Sequence, residues 1–112
     1  NGKRPDILIN ITNDAWYGNT SGPIQHLAAA RARAIEEGLP LVRAANTGVS
    51  AIIDENGRFI ERLEINKEGV LDVYVPISGK KTIFSIYGNK IYIIILMFML
   101  MLARFVFISK KI

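Results

Sequence analysis

Residues 7–18 read ILINITNDAWYG, and this stretch decides how the chain folds. The run over 7–11 is short and apolar apart from Asn10, which is typical of a strand buried on both faces of a sheet. Polar and aromatic residues follow it closely, as NDAWYG over 13–18. They include Trp16, the only Trp of the chain. We therefore predict a buried strand that ends where it opens onto a surface, followed by a loop over 13–22.

The sequence after this loop predicts one helix and several further strands. Pro23 suits the first turn of a helix, and an Ala-rich segment over 24–37 continues it until Gly38 and Pro40 end it. Asn-Gly at 56–57 predicts a tight hairpin turn. The predicted strands span residues 41–46, 49–54, 58–65 and 70–75.

The C-terminal part of the chain is an almost unbroken apolar sequence. Residues 91–108 contain one charge, Arg104. As a helix they would be about 27 Å long, enough to cross the hydrocarbon core of a bilayer. We predict a transmembrane helix there, preceded by a globular domain over 1–77 and a linker over 78–90, and followed by a tail over 109–112.

Basic residues flank the predicted transmembrane helix on both sides. Lys110 and Lys111 follow it, and by the positive-inside rule they place the C-terminus in the cytoplasm. Lys80, Lys81 and Lys90 precede it and weigh against that orientation. We expect a cytoplasmic C-terminus and a globular domain on the outer side of the membrane.

The composition excludes several kinds of site. The chain has 112 residues, a net charge of +4 and no Cys, so it can hold neither a disulfide nor a thiolate metal site. The single His26 cannot build a metal site unaided, and we expect neither a metal nor a cofactor. No block of basic residues is interleaved with aromatic ones, which argues against nucleic acid as a partner. Because the chain begins with Asn rather than Met, we expect it to be a piece of a longer protein.

Four motifs closely resemble the apolipoprotein N-acyltransferase family, a branch of the nitrilase (carbon-nitrogen hydrolase) superfamily. They are NDAWYG at 13–18, GPIQH at 22–26, ARARAIEEGLPLVRAANTGVSA at 30–51 and DENG at 54–57. The first two are specific to the acyltransferase branch, whereas the later pieces are shared more widely. The resemblance implies that this α/β chain is the C-terminal part of a nitrilase-type α-β-β-α sandwich. A transmembrane helix after the domain also fits that branch.

The resemblance further implies a reaction carried out by a Glu-Lys-Cys triad. The Cys takes an acyl chain from a phospholipid as a thioester, and the N-terminal diacylglyceryl-cysteine of an apolipoprotein accepts it. A thiolate beside a Lys is an activated nucleophile. This chain has no Cys and none of the triad maps onto it, so no catalytic residue is assigned and we expect it to be inactive alone.

The same resemblance implies partners and a location. The implied partners are the phospholipid acyl donor, the diacylated apolipoprotein, the membrane and the upstream portion of the enzyme. The implied location is the bacterial inner membrane, with the globular part on the periplasmic side.

The residues that the resemblance places at the rim of the substrate pocket lie in two short stretches. Each stretch also has a structural interpretation, because strand ends require turns that satisfy backbone groups, and aromatic side chains pack beneath loops. The predicted rim consists of Asn13, Asp14, Trp16, Tyr17, Gly18, Asn46, Thr47 and Gly48.

Three charged or titratable residues are predicted to be structural. His26 stands at the start of the helix, where we expect its ring to bond to a loop carbonyl. Arg33 and Glu36 are three residues apart on the same helix, a spacing that predicts an ion pair.

Three interpretations of the whole chain stay open on the sequence alone. The first is the C-terminal part of a membrane apolipoprotein N-acyltransferase. The second is a fragment of a nitrilase-type amidase, against which the apolar tail and NDAWYG argue. The third is a non-catalytic, membrane-anchored remnant or interaction module, which the missing Cys supports.

Overall fold

The computed structural model describes residues 3–77 and 80–109. Its elements in chain order are β1 (Leu8–Asn13), a 3₁₀ turn (Asp14–Tyr17), α1 (Gly22–Glu37), β2 (Leu41–Asn46), β3 (Ser50–Ile53), β4 (Phe59–Leu63), α2 (Ile83–Tyr87) and α3 (Lys90–Ser109). The fold is mixed α/β, as predicted, and the elements up to β4 lie within a few residues of their predicted places.

The four strands form one sheet in the order β1-β2-β3-β4. β1 and β2 are parallel, with α1 as the crossover between them, whereas β2, β3 and β4 pair antiparallel. In the parallel pair Asn10 lies opposite Arg43, and Asn13 lies opposite Asn46. Because parallel strands end at the same edge of a sheet, the loop after β1 lies beside the loop after β2.

Helix α1 covers one face of this sheet and forms the core with it. Its Ala-rich sequence favours a helix and allows close packing on the sheet. Leu27 and Ala34 of α1 belong to one buried cluster with Leu41, Ala51 and Ile53 of the sheet.

The first strand is covered on one face only, so the prediction of a strand buried on both faces is wrong. Leu8 and Asn10 are half-buried, whereas Ile9 and Ile11 are 71% and 81% exposed. The reason is that α1 packs on the face that carries Leu8. The second sheet of the expected sandwich therefore stays a prediction.

The hairpin turn predicted at 56–57 is present, whereas the strand predicted at 70–75 is absent. The turn at 56–57 is confirmed, because Gly57 has a φ of 79° and the Asp54 carboxylate accepts the backbone N–H of Asn56 at 2.9 Å. Residues 70–75 form no strand, which corrects that prediction. Their side chains alternate between exposed and half-buried as in a strand, but Leu71 lines a hollow on the sheet face away from α1 without ladder pairing.

The predicted linker contains the short helix α2, which is attached to α1. Thr82 Oγ1 accepts the backbone N–H of Ser85 at 2.9 Å and donates to the carbonyl of Glu36. Gly88, with a φ of 54°, ends α2. Residues 78–79 of the predicted linker lie outside the described residues.

Helix α3 has 20 residues, and its mean hydropathy is 2.7 over its most apolar window. By length and composition it can cross a membrane, as predicted. The domain boundaries drawn from the sequence stay predictions. Residues 110–112, which include the two lysines used to orient the helix, lie outside the described residues.

Candidate functional site

The two stretches of the predicted rim meet at the carboxyl ends of the parallel strands. Asn13 ends β1 and Asn46 ends β2, and Asn46 Nδ2 donates to Asn13 Oδ1 at 3.3 Å. The same Asn13 oxygen accepts the backbone N–H of Ala15 at 3.1 Å. Asn13 therefore ties down the turn, as its structural interpretation predicts, and also joins the two stretches.

Asp14 lies beneath the rim rather than on its surface, because its side chain is fully buried against Arg43. Arg43 Nη2 donates to Asp14 Oδ2 at 2.6 Å, and both side chains are 0% exposed. Arg43 also donates from Nε to the carbonyl of Val49 at 3.2 Å and from Nη1 to the side-chain oxygen of Asn10. A buried ion pair is tolerated when its remaining donors and acceptors are satisfied in this way.

The second oxygen of Asp14 holds His26. Asp14 Oδ1 and His26 Nδ1 are 2.8 Å apart. Because a carboxylate can only accept, His26 Nδ1 is the donor of this hydrogen bond. The expected bond from His26 to a loop carbonyl is thus wrong, since the carboxylate that faces the helix start is the stronger acceptor.

Two glycines allow the loop and the buried carboxylate to pack closely. A Cβ on Gly48 would overlap the Asp14 carboxylate and would lie 2.8 Å from Asp14 Cβ. A Cβ on Gly22 would lie 2.7 Å from Tyr17 Cβ and would overlap the Tyr17 ring. Gly48 is therefore a packing partner of Asp14, and Gly22 fixes the place of Tyr17.

The two aromatic residues of the loop differ in their surroundings. The Tyr17 ring packs on Gly22 and lies 5.9 Å from the His26 ring between centroids. Trp16 is 85% exposed, so the interpretation of Trp16 as packing beneath the loop does not describe this structure. An exposed Trp ring is suited to a boundary between apolar and wet surroundings.

The second stretch of the predicted rim, residues 46–48, has a strained backbone. Thr47 has a φ of 61°, and positive φ is rare for a β-branched residue. Such conformations cost roughly 1–3 kcal/mol and cluster at functional sites. A cavity of about 160 Å³ lies between Thr47 and the loop residues Ala15 and Gly18. It is smaller than the ~300–1,000 Å³ of a complete small-molecule pocket.

Arg43, His26 and Asn10 are the residues of this site that the sequence analysis did not assign to it. One signal was present for Arg43, since a charged residue in the middle of an apolar strand requires a buried partner. The partner could not be identified from spacing, because Asp14 precedes Arg43 by 29 residues. The assignment of the rim to a substrate pocket stays a prediction.

The chain is similar to one protein family and to known enzymes. The sequence profile described as carbon-nitrogen hydrolase matches residues 1–80. The apolipoprotein N-acyltransferase of Rickettsia bellii is 46% identical over 113 positions, covering 100% of this chain and 22% of that protein. That of Rhodopseudomonas palustris is 52% identical over 103 positions, covering 90% of this chain and 19% of that protein.

These relatives confirm the resemblance carried by NDAWYG and GPIQH. The chain spans about a fifth of the length of the relatives it matches. It belongs to the carbon-nitrogen hydrolase family, in which its relatives are apolipoprotein N-acyltransferases.

Proposed function

We propose that this chain is the C-terminal part of an apolipoprotein N-acyltransferase and that the loop over 13–18 forms part of the rim of its acyl site. The observation that carries the proposal is the buried contact of Asp14 with Arg43 and His26. It fixes an aromatic loop at the carboxyl end of a parallel strand pair, where α/β sheets place their ligands.

The reaction requires a nucleophile from outside these 112 residues, because the chain has no Cys. A thiolate attacks the ester carbonyl of a phospholipid, and a lysophospholipid leaves as the thioester forms. The N-terminal amine of a diacylated apolipoprotein then attacks the thioester and releases the thiolate. A Lys beside the thiolate stabilises its charge, and a Glu moves the proton.

The residues of this chain contribute a wall of the pocket. Exposed Trp16 contacts an acyl chain, because an aromatic ring favours the boundary between apolar and wet surroundings. Asn13 and Asn46 supply polar groups at the same edge. The small cavity beside Thr47 fits a partial wall that other parts of the enzyme complete.

A position of this wall at a membrane, where the acyl donor is found, is supported by α3, which is long and apolar enough to cross a bilayer. We propose the bacterial inner membrane, with the globular domain on the periplasmic side and the C-terminus in the cytoplasm. The names of the relatives and α3 together favour this proposal over a nitrilase-type amidase fragment.

A chimera tests whether the chain is a working part of such an enzyme or a remnant. The segment of the Rickettsia bellii enzyme that aligns with this chain is replaced by residues 1–112. The chimera and the chain alone are incubated with phospholipid and a diacylated lipopeptide, and mass spectrometry detects a third acyl group. The parent enzyme is the positive control.

We expect acyl transfer by the chimera and none by the chain alone. A chimera that folds and inserts in membranes without acyl transfer would contradict the proposal and favour a non-catalytic remnant. Turnover by the chain alone, above a protein-free control, would contradict an external nucleophile.

A further inference from the structure

Helix α2 has an apolar face that no helix or strand among the described residues covers. Ile83, Ile86 and Tyr87 are 69%, 58% and 55% exposed, and their spacing puts them on one side of the helix. Phe84 and Ser85 are half-buried on the other side, toward α1. The short helix is thus amphipathic, with its outer face apolar.

The orientation of α2 is fixed by its contacts with α1. The Arg33 guanidinium lies 5.6 Å from the centroid of the Phe84 ring, and Thr82 bonds to the last turn of α1. These contacts hold the face with Ile83, Ile86 and Tyr87 away from the globular domain.

Lysines flank α2 in the sequence. Lys80 and Lys81 precede α2 and Lys90 follows it, and all three are exposed. Beside α2 lies a cavity of about 340 Å³, whose charged wall groups are Arg4, Lys81 and Glu37. The local charge is therefore positive next to an apolar surface.

Helix α2 lies directly before α3, the helix that is long and apolar enough to span a membrane. Only Gly88 and Asn89 separate α2 from α3, so Tyr87 lies within roughly 10 Å of the start of α3. The headgroup region on each side of a bilayer is about 5–8 Å thick. If α3 spans, α2 must lie in or just above this region.

We propose that α2 is an interfacial anchor that binds anionic phospholipid. The side chains of Ile83, Ile86 and Tyr87 enter the boundary between headgroups and acyl chains, and the three lysines contact lipid phosphates. Helices of this amphipathic kind lie in the membrane plane, and Tyr favours the same depth. Lys80, Lys81 and Lys90, which precede the apolar segment, thereby have a role in lipid binding. This role does not depend on acyl transfer.

Single-cysteine labelling tests this proposal cleanly because the chain has no Cys. An environment-sensitive fluorophore is attached at Ile86→Cys in the full chain, embedded in nanodiscs of phosphatidylcholine and phosphatidylglycerol. Bromine on the acyl chains of either lipid quenches a nearby fluorophore. Phe98→Cys in α3 reports whether that helix spans, and Asn56→Cys in the hairpin turn is the aqueous control.

We expect the fluorophore at position 86 to be blue-shifted and quenched by shallow bromines, unlike the fluorophore at position 56. Quenching should be stronger when phosphatidylglycerol carries the bromine, and Lys80→Gln with Lys81→Gln should reduce that difference, with Lys90 left in place. Each lysine near an anionic surface is worth about fivefold in local partition. Lys67→Gln, in an exposed turn, is the matched control.

Three results would overturn the proposal. The first is equal quenching of the fluorophores at positions 86 and 56 by aqueous iodide, in a chain whose fluorophore at position 98 is quenched by brominated lipid. Another is equal quenching by the two lipids. The third is a blue shift that depends on protein concentration rather than on lipid, which would put a second copy of the chain on this face.

Discussion

At its amino end helix α1 meets a buried ion pair, whereas at its carboxyl end it makes ion pairs that face solvent. Asp14 and Arg43 are both 0% exposed. Arg33 and Glu36, whose predicted pairing is confirmed at 2.8 Å, are 54% and 36% exposed. The two ends are about 24 Å apart along a helix of 16 residues.

The difference between the ends indicates what each end does. A buried pair holds its surroundings rigidly, because losing one partner strands a charge in the interior. Exposed pairs add little energy and tolerate change. The amino end is therefore suited to position a loop precisely, whereas the carboxyl end is suited to attach the segment that leads to the apolar helix α3.

The largest effect is expected when the buried pair is broken. Arg43→Ala leaves the Asp14 carboxylate buried without its cation and should lower the free energy of unfolding by about 3–5 kcal/mol. Pulse proteolysis of the full chain in urea and detergent measures this loss. Arg33→Ala, at the exposed end of α1, is the matched control. If Arg43→Ala lowers the free energy of unfolding no more than Arg33→Ala does, the two ends do not differ.

A smaller effect is expected from adding one methyl group at Gly48. Its Cβ would overlap the Asp14 carboxylate, so Gly48→Ala should cost about 1–3 kcal/mol and displace the loop. Acyl transfer by the chimera should fall as well. Gly69→Ala is the control, because its Cβ would meet only the flexible end of Leu63, at 3.0 Å. Equal effects of the two substitutions would contradict the packing role of Gly48.

The smallest effect is expected at the carboxyl end of α1. Glu36→Gln removes one exposed partner of Arg33 and should change the free energy of unfolding by less than about 1 kcal/mol. High salt should reduce even this change, since exposed charges are screened. The measurement is the same pulse proteolysis at low and high salt. A loss comparable to that of Arg43→Ala would remove the contrast between the two ends.

Local signals were sufficient to predict several parts of the molecule. Gly38 ends α1 with a φ of 63°, and its N–H reaches the carbonyls of the last turn. Asn56-Gly57 makes the predicted turn, and NDAWYG lies where β1 ends. Each of these features depends on backbone preferences of a few adjacent residues, which the sequence carries directly.

Features that depend on distant contacts could not be predicted in this way. The apolar run of β1 resembles a strand buried on both faces, yet Ile9 and Ile11 are exposed because α1 covers one face only. The Val-rich sequence over 70–75 resembles a strand, but strand formation also requires a neighbour for pairing. The pairing of Asp14 with Arg43 likewise follows from the parallel register of β1 and β2.

We propose that the aromatic loop at the amino end of α1 is part of an acyl site. Thioester formation per folded molecule of the chimera tests it most directly, with Trp16→Ala compared to Tyr74→Ala, a fully exposed aromatic residue elsewhere. Because Trp16 is 85% exposed, we expect little change in stability.

We predict a fall of about 100-fold in thioester formation for Trp16→Ala, since misplacing a reacting group by about 1 Å costs this much. Tyr74→Ala should leave the rate unchanged. Normal thioester formation per folded molecule in Trp16→Ala would exclude this loop from the acyl site and leave NDAWYG with a structural role alone.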